Sequence, residues 1–298
     1  MRRDIEFKTE DGVSLRGWFY PAKGVTGPAP VVVMAHGFSA VKEMYLDDFA
    51  TFFAEAGIAA LVYDHRNLGA SDGSPRGHID PRQQIDGYRD AITHAQTMKE
   101  VDPNRIGIWG SSYSGGHVLV VAAIDRRVKC VIAQVPLVAG LESARRLIRG
   151  DHWKALRAAF DADRLARMGG AAPARMPVTG PEGEPSALPT ADTWEFFTAF
   201  AKERQTSWQN DVTLQSVELF TEYEPGIYIP RISPTPLLMV GALEDHLTPF
   251  DMTAAAYETA LEPKKFLALP CMHFEAYTGD MFRLSAPVQR DWLTAHLR

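Results

Sequence analysis

Val31-Val32-Val33-Met34-Ala35 is an apolar run with no polar alternation. Three more follow it, Ala59 to Tyr63, Ile106 to Trp109 and Val128 to Val135, each preceded by a helical stretch. A strand that is apolar at every position is one covered on both faces. Such strands alternating with helices are joined by right-handed crossovers and build a parallel sheet with helices on both sides, the α/β class. Two later runs, Leu237 to Val240 and Lys265 to Leu269, extend the set before a C-terminal helix ending near Leu297. Near the N-terminus Ile5, Phe7, Val13, Leu15 and Trp18 flank Asp11-Gly12, a hairpin signal, so an antiparallel edge is expected beside the parallel strands.

The rhythm breaks between Leu141 and Ser233. This stretch opens with the basic, amphipathic Ala144 to Arg149, passes through a Gly/Pro-rich segment from Gly169 to Pro189, and resumes helically around Trp194 to Leu214. We read residues 1–140 and 234–298 as the core domain and 141–233 as a largely helical cap inserted into it, with the Gly/Pro segment as a flexible surface loop. For 298 residues, one domain with an insertion is the expected organisation.

Composition excludes several partners. Hydrophobic residues make up 46% and charged residues 23%, enough apolar material for a large core and too much for disorder. The formal charge of −6 and the lack of any Lys/Arg-rich run leave no footprint for nucleic acid. No stretch approaches the roughly 18 apolar residues that span a bilayer, and no apolar segment follows Arg2-Arg3 as in a signal peptide, so no membrane partner and a cytoplasmic location are expected. The two cysteines, Cys130 and Cys271, lie outside any Cys-x-x-Cys pattern, so zinc and disulfide frameworks lack support and both read as buried free thiols. Cys271, two residues before His273, would be redox-sensitive if exposed. Edge strands and amphipathic cap helices permit a homodimer without requiring one.

The chemistry concentrates where Ile106-Gly107-Ile108-Trp109 runs into Gly110-Ser111-Ser112-Tyr113-Ser114-Gly115-Gly116. A nucleophile on a strained strand-to-helix turn needs small residues two positions to either side, because strand and helix approach closely there. Ser111 fails this test, having Trp109 before it. Ser112 passes with Gly110 and Ser114, and Ser114 passes with Ser112 and Gly116. Ser112 lies on the turn itself, whereas Ser114 falls inside the helix, so Ser112 is preferred as nucleophile.

Acyl transfer also needs donors for an oxyanion, supplied here by backbone N–H groups of the residue after the nucleophile and of a loop after an earlier strand. Tyr113 N–H and Phe38 N–H, the latter in His36-Gly37-Phe38 just after the first apolar run, fill these places, and His36 reads as a structural histidine of its own loop. The acid and base should follow the nucleophile in that order. Glu244 and Asp245 follow the Leu237 run, and Asp245 is preferred for its spacing to Pro249. His273 follows the Lys265 run as the base. Four elements in the required chain order, each after an expected strand, make the reading of Ser112, Asp245 and His273 as a triad. Asp64 to Gly73 reads as a structural loop rather than a metal site. Asp151-His152 and the aromatics Trp153, Trp194, Phe196, Phe197 and Phe200 are candidates either for a substrate pocket or for the cap's own core.

These residues resemble the motifs of α/β-hydrolases, in particular the dienelactone-hydrolase-like and X-prolyl-dipeptidyl-peptidase-like groups. The similarity covers nearly the whole chain: the Asp11-Gly12 hairpin, His36-Gly37-Phe38, Asp64 to Gly73, the turn at Ser112, Asp245 and His273-Phe274. Gly110-x-Ser112-Tyr113-x-Gly115 is similar to the elbow of X-prolyl peptidases and cocaine esterase, and independently favours Ser112. The stretch also looks like that of fungal polyketide transferases. One departure stands out: those peptidases and cocaine esterase place a tyrosine hydroxyl in the oxyanion hole, where this chain has His36-Gly37-Phe38, and the chain is too short for their jelly-roll domain. The resemblance therefore implies a carboxylic-ester hydrolase working through an acyl-enzyme on a small-molecule ester or acyl substrate, without metal or organic cofactor, rather than a dipeptidyl peptidase. The same triad would serve an acyltransferase with another acceptor. A non-catalytic binding protein on the same scaffold is disfavoured by candidates at every triad position.

Overall fold

In the computed structural model, which describes residues 2–203 and 206–297, the apolar runs become neighbours in one sheet. In chain order the core elements up to the insertion are β1 (Arg3–Lys8), β2 (Ser14–Tyr20), β3 (Ala29–Ala35), α1 (Leu46–Glu55), β4 (Ala59–Tyr63), α2 (Pro81–Thr97), β5 (Val101–Ser111), α3 (Tyr113–Ile124) and β6 (Val128–Gln134). Between β6 and β9, in the stretch called the insertion below, lie α4 (Gly140–Leu147), α5 (Trp153–Met168), β7 (Arg175–Met176), α6 (Ala191–Glu203), β8 (Val212–Thr213) and α7 (Leu214–Glu222). The core resumes with β9 (Leu237–Ala242), α8 (Phe250–Glu258), β10 (Lys264–Leu269) and α9 (Gly279–His296). The eight-stranded sheet has the order β1-β2-β4-β3-β5-β6-β9-β10, with β2 antiparallel to both of its neighbours, β1 and β4, and the remaining pairs parallel.

The unbroken apolar character of β3 follows from its central place between β4 and β5. Val31, Val33 and Ala35 face a cluster with Leu61, Ile108, Tyr88 of α2 and Val118 of α3. Val32 and Met34 face the opposite cluster, with Val62, Trp109, Phe49 and Phe53 of α1 and Leu293 of α9. Each such side chain taken fully out of water contributes roughly 1.5–3 kcal/mol, so any polar residue in the run would be costly on either face. The hairpin turns where expected, with Gly12 at φ 86°, a conformation that glycine adopts without steric cost. Helix α2 starts on Pro81 with Asp80 as its cap, whose carboxylate accepts the Arg82 N–H at 2.9 Å.

The insertion differs from expectation in two respects. The helical stretch expected over Trp194 to Leu214 is broken: residues 206–211 are not helical, and α7 begins only at Leu214 after β8 pairs with β7. The Gly/Pro segment expected to be a flexible surface loop is anchored, since Val178 and Leu188 are buried in a cluster with Phe38 and Tyr113. Thr179 donates its N–H to Asn210 Oδ1 at 3.0 Å and accepts from Asn210 Nδ2 at 2.9 Å, which pins the segment across the insertion. Among the described residues no helix is long and apolar enough to cross a membrane.

Candidate active site

The four loops singled out in the sequence leave the C-terminal ends of β3, β5, β9 and β10, and therefore emerge on one side of the sheet. The tightest of them is the turn from β5 into α3. Ser112 sits there at φ 58° and ψ −119°, a strained conformation for a residue with a side chain. Its backbone is held by Ser112 N–H to Gln134 carbonyl and by Leu137 N–H to Ser112 carbonyl, both at 2.9 Å. The demand for small neighbours is literal: a Cβ on Gly110 would stand 2.1 Å from the Ser114 carbonyl oxygen. A serine at a helix N-terminus ordinarily caps it, but the Ser112 hydroxyl makes no capping bond to α3 and instead lines a narrow pocket.

His273 and Ser112 line the same pocket. His273 Nδ1 lies 2.7 Å from Asp245 Oδ2, with both side chains buried. Asp245 Oδ1 accepts the N–H groups of Leu247 at 2.8 Å and Thr248 at 2.7 Å, so the carboxylate is an acceptor with a fixed orientation. An acceptor at that position puts the imidazole proton on Nδ1 and leaves Nε2 with a lone pair. Glu244, the alternative acid, is exposed. Ser114, the alternative nucleophile, is fully buried, is absent from the pocket wall, and donates its hydroxyl to the His36 carbonyl.

Gly37 brings the β3 loop against the turn: a Cβ there would lie 2.6 Å from Ser112 Cβ and 3.1 Å from Ser112 Oγ. Phe38 and Tyr113 also line the pocket, and among the described residues neither N–H has a hydrogen-bond partner. Tyr113 is the first residue of α3, where backbone N–H groups are unpaired and the helix dipole favours negative charge. His36 is spent on its own loop, with Nδ1 accepting Gly37 N–H at 2.8 Å and Nε2 donating to the Met44 carbonyl at 2.9 Å. Burial pushes its imidazole down to about 3.

Other expectations are placed as follows. Asp64 accepts the Lys42 N–H and Nζ, each at 2.7 Å, and the Ala70 N–H at 2.9 Å, the bonding of a structural loop. Cys271 is buried and burial pushes its thiol up to about 12, so the exposure on which redox sensitivity depended is missing; Cys130 is buried as well. Of the insertion aromatics, Phe197 lines the pocket, Phe196 stacks on Phe274 at 4.3 Å, and Phe200 is buried in a cluster with Val41 and Met44. Asp151 and His152 are exposed.

Sequence reasoning missed Leu147, Leu188 and Phe220, which close the pocket from the insertion. It also missed Thr248, whose hydroxyl stands 2.8 Å from Asp245 Oδ2 and 3.0 Å from the Val135 carbonyl. Its spacing three residues after Asp245, where an Asp side chain meets following N–H groups, was the available signal.

Comparison with known proteins identifies the fold and the family. The model of the X-Pro dipeptidyl-peptidase (S15) family matches residues 11–275. A thiohydrolase of Eupenicillium brefeldianum is 34% identical over 293 residues, covering 97% of this chain and 92% of that protein. Polyketide transferase ATR5 of Stachybotrys chlorohalonatus is 33% identical over 295 residues, covering 94% of this chain and 92% of its own. The crystal structure of the α/β-hydrolase GrgF from Penicillium sp. sh18 superposes with a TM-score of 0.85 at 30% identity, covering 100% of this chain and 99% of GrgF. The chain therefore has the α/β-hydrolase fold and belongs to the X-Pro dipeptidyl-peptidase (S15) family.

Proposed function

We propose that the chain is a serine hydrolase that cleaves an apolar carboxylic ester or thioester through an acyl-enzyme on Ser112, with His273 as base and Asp245 as its partner. The observation that carries this reading is the shared pocket of Ser112 and His273, together with the 2.7 Å contact from His273 Nδ1 to Asp245. His273 Nε2 takes the Ser112 proton as Oγ attacks the carbonyl carbon. The oxyanion that forms accepts from Phe38 and Tyr113 N–H, groups that have no bond to break first. The imidazolium, stabilised by Asp245, then protonates the leaving alcohol or thiol, and the same histidine activates water to release the acid. No step in this sequence calls for a metal or an organic cofactor.

Residues 141–233 act in this reading as a cap that selects the acyl group, because Leu147, Leu188, Phe197 and Phe220 are all apolar. The family's peptidase activity is not proposed: no carboxylate is among the described residues lining the pocket, and the terminal ammonium of a peptide would need one. Thioesters are included because a close relative is named a thiohydrolase. A second reading, transfer of the acyl group to an alcohol or amine, is favoured by the relative named a polyketide transferase and by the narrow apolar pocket, which disfavours water.

Labelling the protein with a fluorophosphonate and mapping the modified peptide tests the nucleophile. An adduct on Ser112 is expected; none, or one on Ser114, overturns the assignment. Product analysis of p-nitrophenyl ester turnover with competing alcohols and amines then separates hydrolysis from transfer.

A further inference from the structure

Ser114 lies two residues beyond Ser112, fully buried in the first turn of α3. A serine inside a helix ordinarily returns its hydroxyl to its own backbone or to solvent. This one leaves the helix and donates to the His36 carbonyl, at the end of the neighbouring strand β3. With its single proton committed, Ser114 Oγ must accept from His65 Nε2, 2.8 Å away. His65 stands just beyond β4, the strand on the other side of β3. One hydroxyl thus links the ends of three adjacent strands. Burial pushes the His65 imidazole down to about 3 and keeps it neutral, and the bond to Ser114 then places its one proton on Nε2.

The two ends of the bond are next to the proposed oxyanion donors. His36 is two residues before Phe38, and Ser114 directly follows Tyr113. The Ser114 hydroxyl joins these two segments directly; they also meet through the close approach of Gly37 to Ser112, and just behind them Tyr88 Oη lies 3.0 Å from the Trp109 carbonyl and 3.5 Å from the Ala35 carbonyl. We propose that Ser114, held by His65, is a positioning residue that sets the spacing between the Phe38 and Tyr113 N–H groups and so tunes stabilisation of the oxyanion. This rests on the acyl-enzyme reading above and extends it to residues that touch no substrate.

Loss of an oxyanion donor costs roughly a hundred- to a thousandfold in kcat, and a misplaced one less. In the full chain, Ser114→Ala should lower kcat for a p-nitrophenyl ester by about 10- to 100-fold while KM stays within about threefold, the signature of an interaction made in the transition state. His65→Leu should reproduce that loss. His65→Gln, which keeps an N–H donor near the Nε2 position, should recover most of it. A merely structural role would lower the thermal midpoint of both His65 variants without separating their kcat values.

Wild-type kcat in Ser114→Ala, or equal kcat in His65→Leu and His65→Gln, overturns the proposal. If Ser114→Ala does not fold, the His65 pair decides it. Fluorophosphonate labelling separates the two levels of inference. A Ser112 adduct in wild type, alongside an unimpaired Ser114→Ala, removes only the positioning role, whereas no adduct removes the acyl-enzyme reading and the positioning role with it.

Discussion

The strand ends and the helical insertion meet at one pocket and contribute different kinds of atom to it. Ser112, Thr248, His273 and the N–H groups of Phe38 and Tyr113 come from loops that leave β3, β5, β9 and β10. Leu147, Leu188, Phe197 and Phe220 come from the insertion, and none offers a polar side chain. The two regions are also held differently. The strand-end groups are fixed by backbone hydrogen bonds and strained geometry, as at Ser112 with φ 58° and Val135 with φ 38°. The insertion reaches the core largely through side chains, such as the stack of Phe196 on Phe274 and the exposed ion pair of Arg146 with Asp251 at 2.7 Å, with a few backbone bonds such as Thr213 N–H to the Gly77 carbonyl at 3.2 Å. On the proposed reading the strand ends hold the transition state and the insertion sorts substrates, so variants in the two regions should move different kinetic parameters.

The largest expected effect breaks the strand-end side outright. Ser112→Ala should lower kcat for a p-nitrophenyl ester by at least about ten-thousandfold, because members of a triad act as a unit. Its thermal midpoint should match wild type, since the hydroxyl makes no capping bond. Wild-type-like turnover in this variant would reject the mechanism.

The next effect concerns the stability of the same region. Burial depresses the imidazoles of His36 and His65 to about 3, below their ordinary range near 6.5. Between those values the unfolded chain binds protons that the folded chain refuses. Stability is therefore fully present above about pH 6.5 and falls as the pH drops, by roughly tenfold in the folding constant per pH unit for each histidine. Chemical denaturation from pH 7 to 4.5 measures this, and a flat profile would contradict the burial of the two rings.

The same division governs what could be read from the amino-acid order. Runs such as Val31 to Ala35 announce strands because both of their faces are covered, and each candidate loop could be located as the segment just after a run. Ser112 could be preferred to Ser111 by sterics alone, with Trp109 too large for the approach that Gly110 makes. The insertion offers no such regularity. Val178 and Leu188 are single apolar residues among prolines and glycines, and their burial depends on a fold that carries Asn210 to Thr179. Leu147 and Phe220 lie on amphipathic helices, where a pocket wall and a core position have the same pattern. The contact of His65 with Ser114 spans 49 residues and leaves no local trace.

The insertion side is sharpened by Phe197→Ala. Phe197 is almost fully buried and forms part of the pocket wall, so truncation should enlarge the acyl site. A series of p-nitrophenyl esters of increasing chain length should show the ratio of kcat/KM for long over short acyl groups rising by about 10-fold, in the range that one or two methylenes can command. The turnover of the best substrate should change little. An unchanged chain-length profile would show that the insertion does not sort substrates here.

The smallest effect separates the regions most cleanly, because it concerns one hydroxyl on the strand-end side. Thr248 Oγ1 stands 2.8 Å from Asp245 Oδ2, 3.0 Å from the Val135 carbonyl and 3.4 Å from His273 Nδ1. It has a single proton and cannot serve both oxygens at once. Thr248→Val keeps the shape and deletes the hydroxyl, while the Leu247 and Thr248 backbone N–H groups still orient the carboxylate from Oδ1. The contact between Asp245 and His273 should therefore survive with looser aim, and kcat should fall by about threefold with KM unchanged. That outcome is the mirror image of Phe197→Ala, in which selectivity moves and turnover does not. If Thr248→Val instead altered the chain-length ratio and left kcat alone, the division of labour between strand ends and insertion would fail.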